Sequence, residues 1–467
     1  MTKWKLKEIA QALGISLNTE LEISHISTDT RDIVPGSVFI ALKGENFDGH
    51  DFMGEAFKRG AVACVSSKFA NSTPDKIVLQ VKDTGEALLK LAAAYRNRFE
   101  VKVVGITGSV GKTTTKDMVA GALGACCNML KTEGNLNNEV GLPKTLFAID
   151  ESHDVAVVEM GMSDMGEIEA LSKAARPDIG VLTNIGVSHI EALGTRENIL
   201  KAKLEILQGM PEGAPLVVGG DNDLLGALIS PFQGHPLIVY GIHNKQADVT
   251  AEDITENLNR LETTFAVKDG EDLTWCTIPC LGEHNVQSAL ATYCVAKALG
   301  LDRRKCLLEL SAYAPSGMRQ CIVSRGPFKI VEDCYNASPD SMMAALSTLS
   351  KLKPQRGGRR IAVLGDMLEL GRLSKEAHKQ VGKMVAEGDV DILFTCAAAA
   401  YYILEGAEEN GFKNTFFSND KKEITKRLCT VLQEGDVILF KASRGIGLED
   451  VIYSLYAFID ENYDGGE

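Results

Sequence analysis

The segment Val104-Gly105-Ile106-Thr107-Gly108-Ser109-Val110-Gly111-Lys112-Thr113-Thr114 constrains this chain more than any other. An apolar run, Val103–Ile106, feeds a glycine-rich turn, and the turn feeds a helix-prone run over Lys112–Leu123. Strand, turn and helix in that order aim free backbone N–H groups at a point where the helix dipole also favours negative charge. Residues Thr107, Gly108, Ser109, Val110, Gly111, Lys112, Thr113 and Thr114 therefore read as a nucleotide-binding loop. Lys112 would reach the β- and γ-phosphates of ATP, and the Thr113 hydroxyl would ligate Mg²⁺. The strict phosphate-loop pattern asks for glycine where Ile106 stands; the Gly-Lys-Thr-Thr core and its strand-to-helix setting outweigh that mismatch.

The surrounding pattern is α/β. Buried-strand candidates at Val155–Glu159, Ile179–Thr183, Leu216–Val218 and Leu237–Tyr240 alternate with helical stretches, and a helix is expected over Asn285–Leu299. Such alternation predicts a doubly wound parallel sheet covered on both faces. Shorter strands (Val38–Leu42, Ala61–Val65, Ile77–Val81) and helices (Leu6–Leu13, Glu86–Tyr95) precede it. After the hinge-like Ala314-Pro315-Ser316-Gly317, strands are expected at Ile330–Asp333, Ile361–Leu364, Ile392–Cys396, Thr415–Phe417 and Val437–Lys441. With 467 residues, the expectation is three α/β domains in series: a small N-terminal domain over 1–100, a central phosphate-loop ATPase domain over 101–314, and a C-terminal Rossmann-like domain over 315–467.

Composition removes several classes. A net charge of −14 argues against a dedicated nucleic-acid binder but leaves room for a small anionic ligand met by local Lys and Arg. No stretch has the ~18 apolar residues that a membrane helix needs. The start MTKWKLKEIAQAL lacks the apolar core of a signal peptide, so a cytoplasmic protein is expected, and a monomer. The 11 cysteines include no C-x-x-C pair and read as free thiols.

Three residues beyond the loop draw attention. Glu159 ends an apolar strand, where a doubly wound sheet places its ligand site, and could hold Mg²⁺ or be an ordinary strand-end acid. His189, in Thr183-Asn184-Ile185-Gly186-Val187-Ser188-His189, lies in a loop after the next strand. Lys203, by its chemistry alone, is a solvated helix lysine.

Thr107–Thr113, Asn137-Asn138, Glu159-Met160-Gly161, Thr183–Gly186 with His189, and Gly282-Glu283-His284-Asn285 together resemble the Mur ligase family, ATP-dependent amide-forming enzymes of peptidoglycan precursor synthesis. The motifs stand in family order and span nearly the whole chain. Asp333-Cys334-Tyr335-Asn336-Ala337-Ser338-Pro339-Asp340-Ser341, Leu364-Gly365-Asp366-Met367-Leu368-Glu369-Leu370-Gly371 with His378, and Val437–Gly445 are similar to the branch that adds a dipeptide. Ser27–Arg31, Pro35–Leu42 and Asp48-Gly49-His50 resemble the family's uridine-nucleotide domain.

The resemblance implies a ligase joining D-alanyl-D-alanine to UDP-N-acetylmuramoyl-tripeptide through an acyl phosphate, with ATP and two Mg²⁺ ions. It implies that Lys112 and Thr113 hold phosphates and one ion with Glu159, and that Asn138 stands near the γ-phosphate. It places His189 at a second metal position, together with Lys203 if that lysine is carbamylated. Asn285 would contact the adenine, and Arg319 and Asp333 would reach the nucleotide from the C-terminal domain; Arg319 has an interdomain salt bridge as its alternative. Thr30, Arg31 and Lys43 would meet the uridine diphosphate, unless Arg31 pairs with Asp29 or Asp32. Asn336 and Ser338 would line the approach of the dipeptide. The sequence departs from the family at Ser288, Ser338 and Ala442, where Asn, Asn and Gly are usual. Rival readings are a sibling ligase adding one amino acid, a folylpolyglutamate synthase-like ligase, and a phosphate-loop switch protein.

Overall fold

Valine, isoleucine and leucine fill the strands and place them at the centres of three larger sheets. The computed structural model describes residues 2–44, 46–73, 76–355 and 357–463. Two short strands, β1 (Trp4–Lys5) and β2 (Glu22–Ile23), pair antiparallel at the start. The first main sheet is parallel throughout, in the order β3 (His25–Ser27), β4 (Ser37–Ile40), β5 (Ala61–Ser66) and β6 (Ile77–Gln80).

The second sheet carries the phosphate loop. Its parallel part comprises β7 (Lys102–Thr107), β8 (Met129–Lys131), β9 (Val155–Glu159), β10 (Ile179–Leu182), β11 (Leu216–Gly219) and β12 (Leu237–Gly241). Beyond it come β13 (Val249–Asn257), β14 (Glu262–Asp269) and β15 (Asp272–Ile278), giving the order β15-β14-β13-β12-β11-β10-β7-β9-β8. β13, β14 and β15 pair antiparallel, so the doubly wound sheet has an antiparallel flank that strand–helix alternation does not predict. The turns at Asn257–Glu262 and Asp269–Asp272 are too short for a crossover helix, and short turns join antiparallel neighbours.

The third sheet runs β16-β17-β21-β18-β19-β20, with β16 (Cys321–Arg325) antiparallel to β17 (Phe328–Glu332). The others, β18 (Arg360–Gly365), β19 (Ile392–Cys396), β20 (Thr415–Ser418) and β21 (Val437–Lys441), are parallel. Most expected strands and helices thus fall within a residue or two of their predicted bounds. The fold class is α/β, as expected, with three larger sheets each accompanied by helices.

The first two sheets are joined by a shared apolar core. The helix Thr84–Arg96 presents Leu88, Leu91, Ala92 and Tyr95 to the helices Gly141–Phe147 and Glu167–Ala175. The Tyr95 hydroxyl, buried at that seam, donates to the Ile149 carbonyl (2.9 Å), so its polar atom is satisfied. The third sheet meets the second through polar contacts, Ser316 to Asp117 (2.7 Å), Lys351 to Glu256 (2.9 Å) and His284 to Gln320 (2.6 Å), and through apolar packing of Leu281, Val187, Leu258 and Leu261 against its core.

Candidate functional site

The phosphate loop is built by close approach. Gly108 has φ +151, and a Cβ there would overlap the Thr183 hydroxyl, so only glycine fits. Thr183 Oγ1 donates to the Val110 carbonyl (2.6 Å), Asn184 Oδ1 accepts from Val110 N (2.7 Å), and the Asn184 carbonyl accepts from Ser109 N (3.0 Å). Ser109 Oγ accepts from Gly186 N (2.9 Å). The end of β10 thus clamps the turn after β7 from the side. Gly111, in the left-handed region at φ +84, starts the helix Lys112–Leu123 without a side-chain cap. An uncapped helix start leaves its first N–H groups for a ligand.

Lys112 folds back and donates from Nζ to the Gly108 carbonyl (2.8 Å). Burial pushes its ammonium below the usual lysine range; Glu159 opposes that shift, Arg319 adds to it and Glu369 opposes it. Thr113 Oγ1 donates to Glu159 Oε2 (2.8 Å), and Asn137 Nδ2 donates to Glu159 Oε1 (2.8 Å). Glu159 N donates to Thr132 Oγ1 (3.0 Å), which fixes the strand end that carries the carboxylate. Asn138 turns the other way: its Oδ1 accepts from Gly141 N (2.8 Å), the first residue of the helix Gly141–Phe147. In this arrangement Asn137, the other half of the quoted pair, is the side chain on Glu159. Thr114 is half-buried, one position further along the loop helix.

Lys203 is not solvated. It is 1% exposed, and no hydrogen-bond or ion-pair partner reaches its amine among the described residues. Burial, and then repulsion from Lys112, push its pKa far below that of a free lysine. His189 stands at φ +65 on the loop before the helix Ile190–Leu193, and its Nδ1 lies 2.5 Å from Glu369 Oε2 of the C-terminal domain.

The C-terminal domain brings further expected residues to the same cleft. Arg319 stacks its guanidinium over the Tyr335 ring at 3.5 Å from the centroid. No acid pairs with it among the described residues, so the salt-bridge alternative is not what forms. Asp333 is buried and accepts from Lys441 Nζ (2.8 Å); burial raises its pKa, and Lys441 opposes that rise. Asn336 is exposed and its Oδ1 accepts from Ala337 N (2.9 Å). Ser338 is buried as the N-cap of the helix Pro339–Lys351, in a capping box with Ser341. Asn285 is buried at the start of the helix Glu283–Ala298, where its Nδ2 donates to the Leu281 carbonyl (2.8 Å). Ser288, one turn later, accepts from Thr115 Oγ1 (3.2 Å), so it joins this helix to the loop helix.

Beside the loop lies a cavity of about 510 Å³ between the ends of β10, β11 and β12 and the helix Pro339–Lys351. Its polar lining includes Thr183, Asn184, Asn222 and Gln287, with Arg196, Asp221 and Asp340 as charged members. It is large enough for a nucleotide base, next to the place where phosphates would sit.

The expected uridine residues stand apart from this cleft, on the first sheet. Thr30 is half-buried and Lys43 exposed. Arg31 is engaged by Asp29 in a two-pronged pair (2.7 and 3.0 Å) while remaining 85% exposed. Here the local acid holds Arg31, as the alternative had it.

Among the described residues no three His, Cys, Asp or Glu side chains converge on a metal position. That suits Mg²⁺, which takes one or two carboxylates together with substrate phosphates and water rather than an all-protein cage. The Thr113–Glu159 oxygen pair at the loop helix fits that demand.

Sequence reasoning passed over Asn137, Thr183 and Asn184 as individual actors, although all lie in quoted motifs. It also missed Glu369 as a partner of His189, because that pairing crosses domains. No signal along the chain marks a contact 180 residues distant.

Comparison with known proteins agrees with this geometry. Residues 22–96 match the Mur ligase family catalytic domain, 106–296 the Mur ligase middle domain, and 318–444 the Mur ligase glutamate ligase domain. The chain is 39% identical to the UDP-N-acetylmuramoyl-tripeptide–D-alanyl-D-alanine ligase of Bacillus subtilis (strain 168), over 97% of this chain and 99% of the relative. Among solved structures, MurF from Acinetobacter baumannii superposes with a TM-score of 0.90 at 29% identity, covering 98% of this chain and 99% of that one. MurF ligase from Thermotoga maritima, solved in complex with ADP, superposes with a TM-score of 0.83 at 30% identity, covering 94% and 98%. Full-length identity at this level, with the three family domains matched in order along the chain, places the chain in the Mur ligase family.

Proposed function

We infer that the chain is an ATP-dependent ligase that joins D-alanyl-D-alanine to UDP-N-acetylmuramoyl-tripeptide, giving the pentapeptide precursor of peptidoglycan. The observation that carries the reading is the cleft itself. Lys112, Thr113–Glu159, His189 and Lys203 of the central domain face Arg319 and Asp333 of the C-terminal domain, in a chain 39% identical to a ligase of that name. The relative solved with ADP supports a nucleotide in this cleft. We assign the three domains to 1–100, 101–314 and 315–467, and the site of action to the cytoplasm as a monomer; no helix among the described residues is long and apolar enough to cross a membrane.

The chemistry follows from the groups present. The peptide's terminal carboxylate attacks the γ-phosphorus of ATP, the bond to the β-phosphate oxygen breaks, and ADP leaves an acyl phosphate. The amine of D-alanyl-D-alanine then attacks the acyl carbon, phosphate departs and the amine loses a proton. Free N–H groups of the 107–114 loop bind the phosphates, and Lys112 leaves the Gly108 carbonyl to follow the charge on the transferred phosphoryl. Thr113 and Glu159 would hold one Mg²⁺, and His189 with a carbamylated Lys203 a second, so that the ions spread the charge of phosphoryl transfer. Arg319 brings a positive charge from the opposite wall only when the domains are together, and closure excludes the water that would hydrolyse an acyl phosphate. Asn138, Asn285, Asn336 and Ser338 position loop, base and dipeptide in this reading, and Thr30, Arg31 and Lys43 hold the uridine diphosphate once Arg31 exchanges Asp29 for phosphate.

Phosphate release tests the reading directly. Mg-ATP, the UDP-muramoyl tripeptide (with lysine or diaminopimelate third) and D-alanyl-D-alanine are each omitted in turn, and the product is weighed by mass spectrometry. Release that needs all three and yields the pentapeptide is expected. Release with a single amino acid in place of the dipeptide, or with no amine at all, would replace this reading with a sibling ligase or a switch.

A further inference from the structure

The segment Gly365–Gly371 is left without a role by the chemistry above, yet its Glu369 and Gly371 touch the His189–Glu191 stretch of the central domain. It is held hard from behind. His378 is fully buried; its Nδ1 faces the Ser374 carbonyl (2.7 Å), so that nitrogen carries the proton and Nε2 accepts from Met367 N (2.9 Å). Ser443 Oγ accepts from Leu368 N (3.0 Å), and Asp366 Oδ1 accepts from Ala400 N (2.6 Å). From this base Glu369 projects at φ +63, opposite His189 at φ +65. Two non-glycine residues in the left-handed region, facing each other across a domain boundary, show that the surrounding structure imposes both conformations. The loops also approach closely: a Cβ on Gly371 would come 3.2 Å from the Glu191 Cα, and the Glu369 carbonyl accepts from Glu191 N (3.3 Å).

The bond between the two side chains has a direction. A carboxylate only accepts, so the 2.5 Å contact puts a proton on His189 Nδ1; in the neutral ring the Nε2 lone pair is then the one that can meet a cation. A partner on one imidazole nitrogen fixes the ring and makes the other nitrogen a better ligand.

We propose that Glu369 is a positioning residue that acts through His189, delivering from the C-terminal domain the hydrogen bond that orients the imidazole for a divalent cation only when the domains are docked. The inference rests on the reading of His189 as a cation ligand. It gives the Asp366–Gly371 turn, His378 and Ser443 one common task, which is to hold a carboxylate at the domain boundary. It also means that the second cation is completed by closure rather than waiting in the open enzyme.

The test is Mn²⁺ binding to the full chain with a non-hydrolysable ATP analogue, read by electron paramagnetic resonance, with docking followed separately by X-ray scattering. The variants are Glu369→Gln, Glu369→Ala, His189→Ala and the double variant Glu369→Gln/His189→Ala. Glu369 is 56% exposed at its side chain, so the substitutions leave no buried hole, and Glu369→Ala serves should the amide misfold. Expected is a loss of about 10-fold or more in affinity for one of two Mn²⁺ ions in the Glu369 variants. The other ion should be unchanged, the scattering profile unchanged, and the double variant no weaker than His189→Ala. If His189→Ala loses an ion and the Glu369 variants keep both at wild-type affinity, or if the two losses multiply, the inference fails and the reading of His189 stands. If His189→Ala keeps both ions, that reading fails and takes the inference with it.

Discussion

Lys203 is buried and repelled by the ammonium of Lys112, and among the described residues no acid pairs with its amine. A lysine in that position is pushed toward its neutral form, the form that reacts with CO₂. Neutral amines add CO₂, forming a carbamate and releasing one proton, and the product is an anion with two oxygens. Such a group would turn a repulsion from Lys112 into an attraction and give a hard cation the oxygen ligands it favours.

Carbamylation is therefore expected and measurable. Protein prepared in ¹³C-bicarbonate should show a single carbamate resonance that disappears in Lys203→Met. Turnover should fall when CO₂ is stripped from the buffer and return on adding bicarbonate. Full activity in rigorously CO₂-free buffer, with no carbamate signal, would leave Lys203 as a buried neutral amine.

The same burial makes a stability prediction with a definite sign. Without CO₂, the folded pKa of Lys203 lies below the value near 10.4 of the unfolded chain, so between the two values the unfolded state binds the extra proton. Stability present above that value is lost as pH falls through the interval. Lys203→Met removes the cost and fills the same space. In CO₂-free buffer at pH 7.5 its Tm should exceed that of the wild type, by roughly 2–4 °C for each kcal/mol relieved, while its ligase activity is lost. A lower Tm would show that the amine is solvated or paired.

At the phosphate loop, Lys112→Ala should reduce turnover about 10²–10³-fold, the loss expected from removing one preorganised charge donor in a dry site. Thr113→Val keeps the size of the side chain and deletes the hydroxyl that meets Glu159. It should weaken nucleotide binding with Mg²⁺ present and leave binding in EDTA nearly unchanged, as calorimetry can show. Equal weakening under both conditions would make Thr113 a part of the loop's packing.

Much of this was legible from residue order, because the phosphate loop, β9 and β10 are local objects. An apolar run sets the strand, glycine sets the turn, and the ligand groups sit at strand ends by construction. Glu159 was visible for that reason. The antiparallel flank β13–β15 was not, since Val249–Asn257 and Glu262–Asp269 mix charged and apolar residues without a strong run. Lys203 misled a chemical reading: its helix, Arg196–Leu204, is mostly polar, and only the packing of the chain around its end shows that the last lysine faces inward. The resemblance to the family pointed to it where periodicity did not. The choice of Asn138 over Asn137 could not be made along the chain, because adjacent residues differ only in which way the backbone turns them.

Two histidines, His378 fully buried and His284 half-buried, give the pH response its direction. Burial lowers the pKa of both His284 and His378 below the ordinary value near 6.5. Between that value and their folded pKa values the unfolded chain takes up protons that the folded chain refuses. Their contribution is complete above pH 6.5 and is lost as pH falls, with a slope of at most about 1.4 kcal/mol per pH unit for each group. Urea midpoints at pH 7.5 and 5.5 should therefore draw closer together in His284→Gln and in His378→Gln than in the wild type. An unchanged gap in both variants would assign the acid sensitivity to carboxylates instead.

Arg319 provides the sharpest test of the domain-closed site. Its guanidinium lies flat on Tyr335, 3.5 Å from the ring centroid, and lacks an acid partner among the described residues, so its charge is oriented yet unspent. A planar group that stacks and donates in pairs has no substitute in lysine, which is a compact, strongly hydrated point charge. Arg319→Lys should therefore lower kcat about 10-fold or more while retaining affinity for ADP within a few-fold. Tyr335→Leu, which removes the ring and keeps the arginine, should lower kcat less, because the guanidinium loses its support but not its charge. If Arg319→Lys behaves as the wild type, charge alone suffices at this position and the stacking on Tyr335 serves packing. If Tyr335→Leu is the more damaging of the two, the ring itself touches substrate, and crosslinking at that position would identify which one.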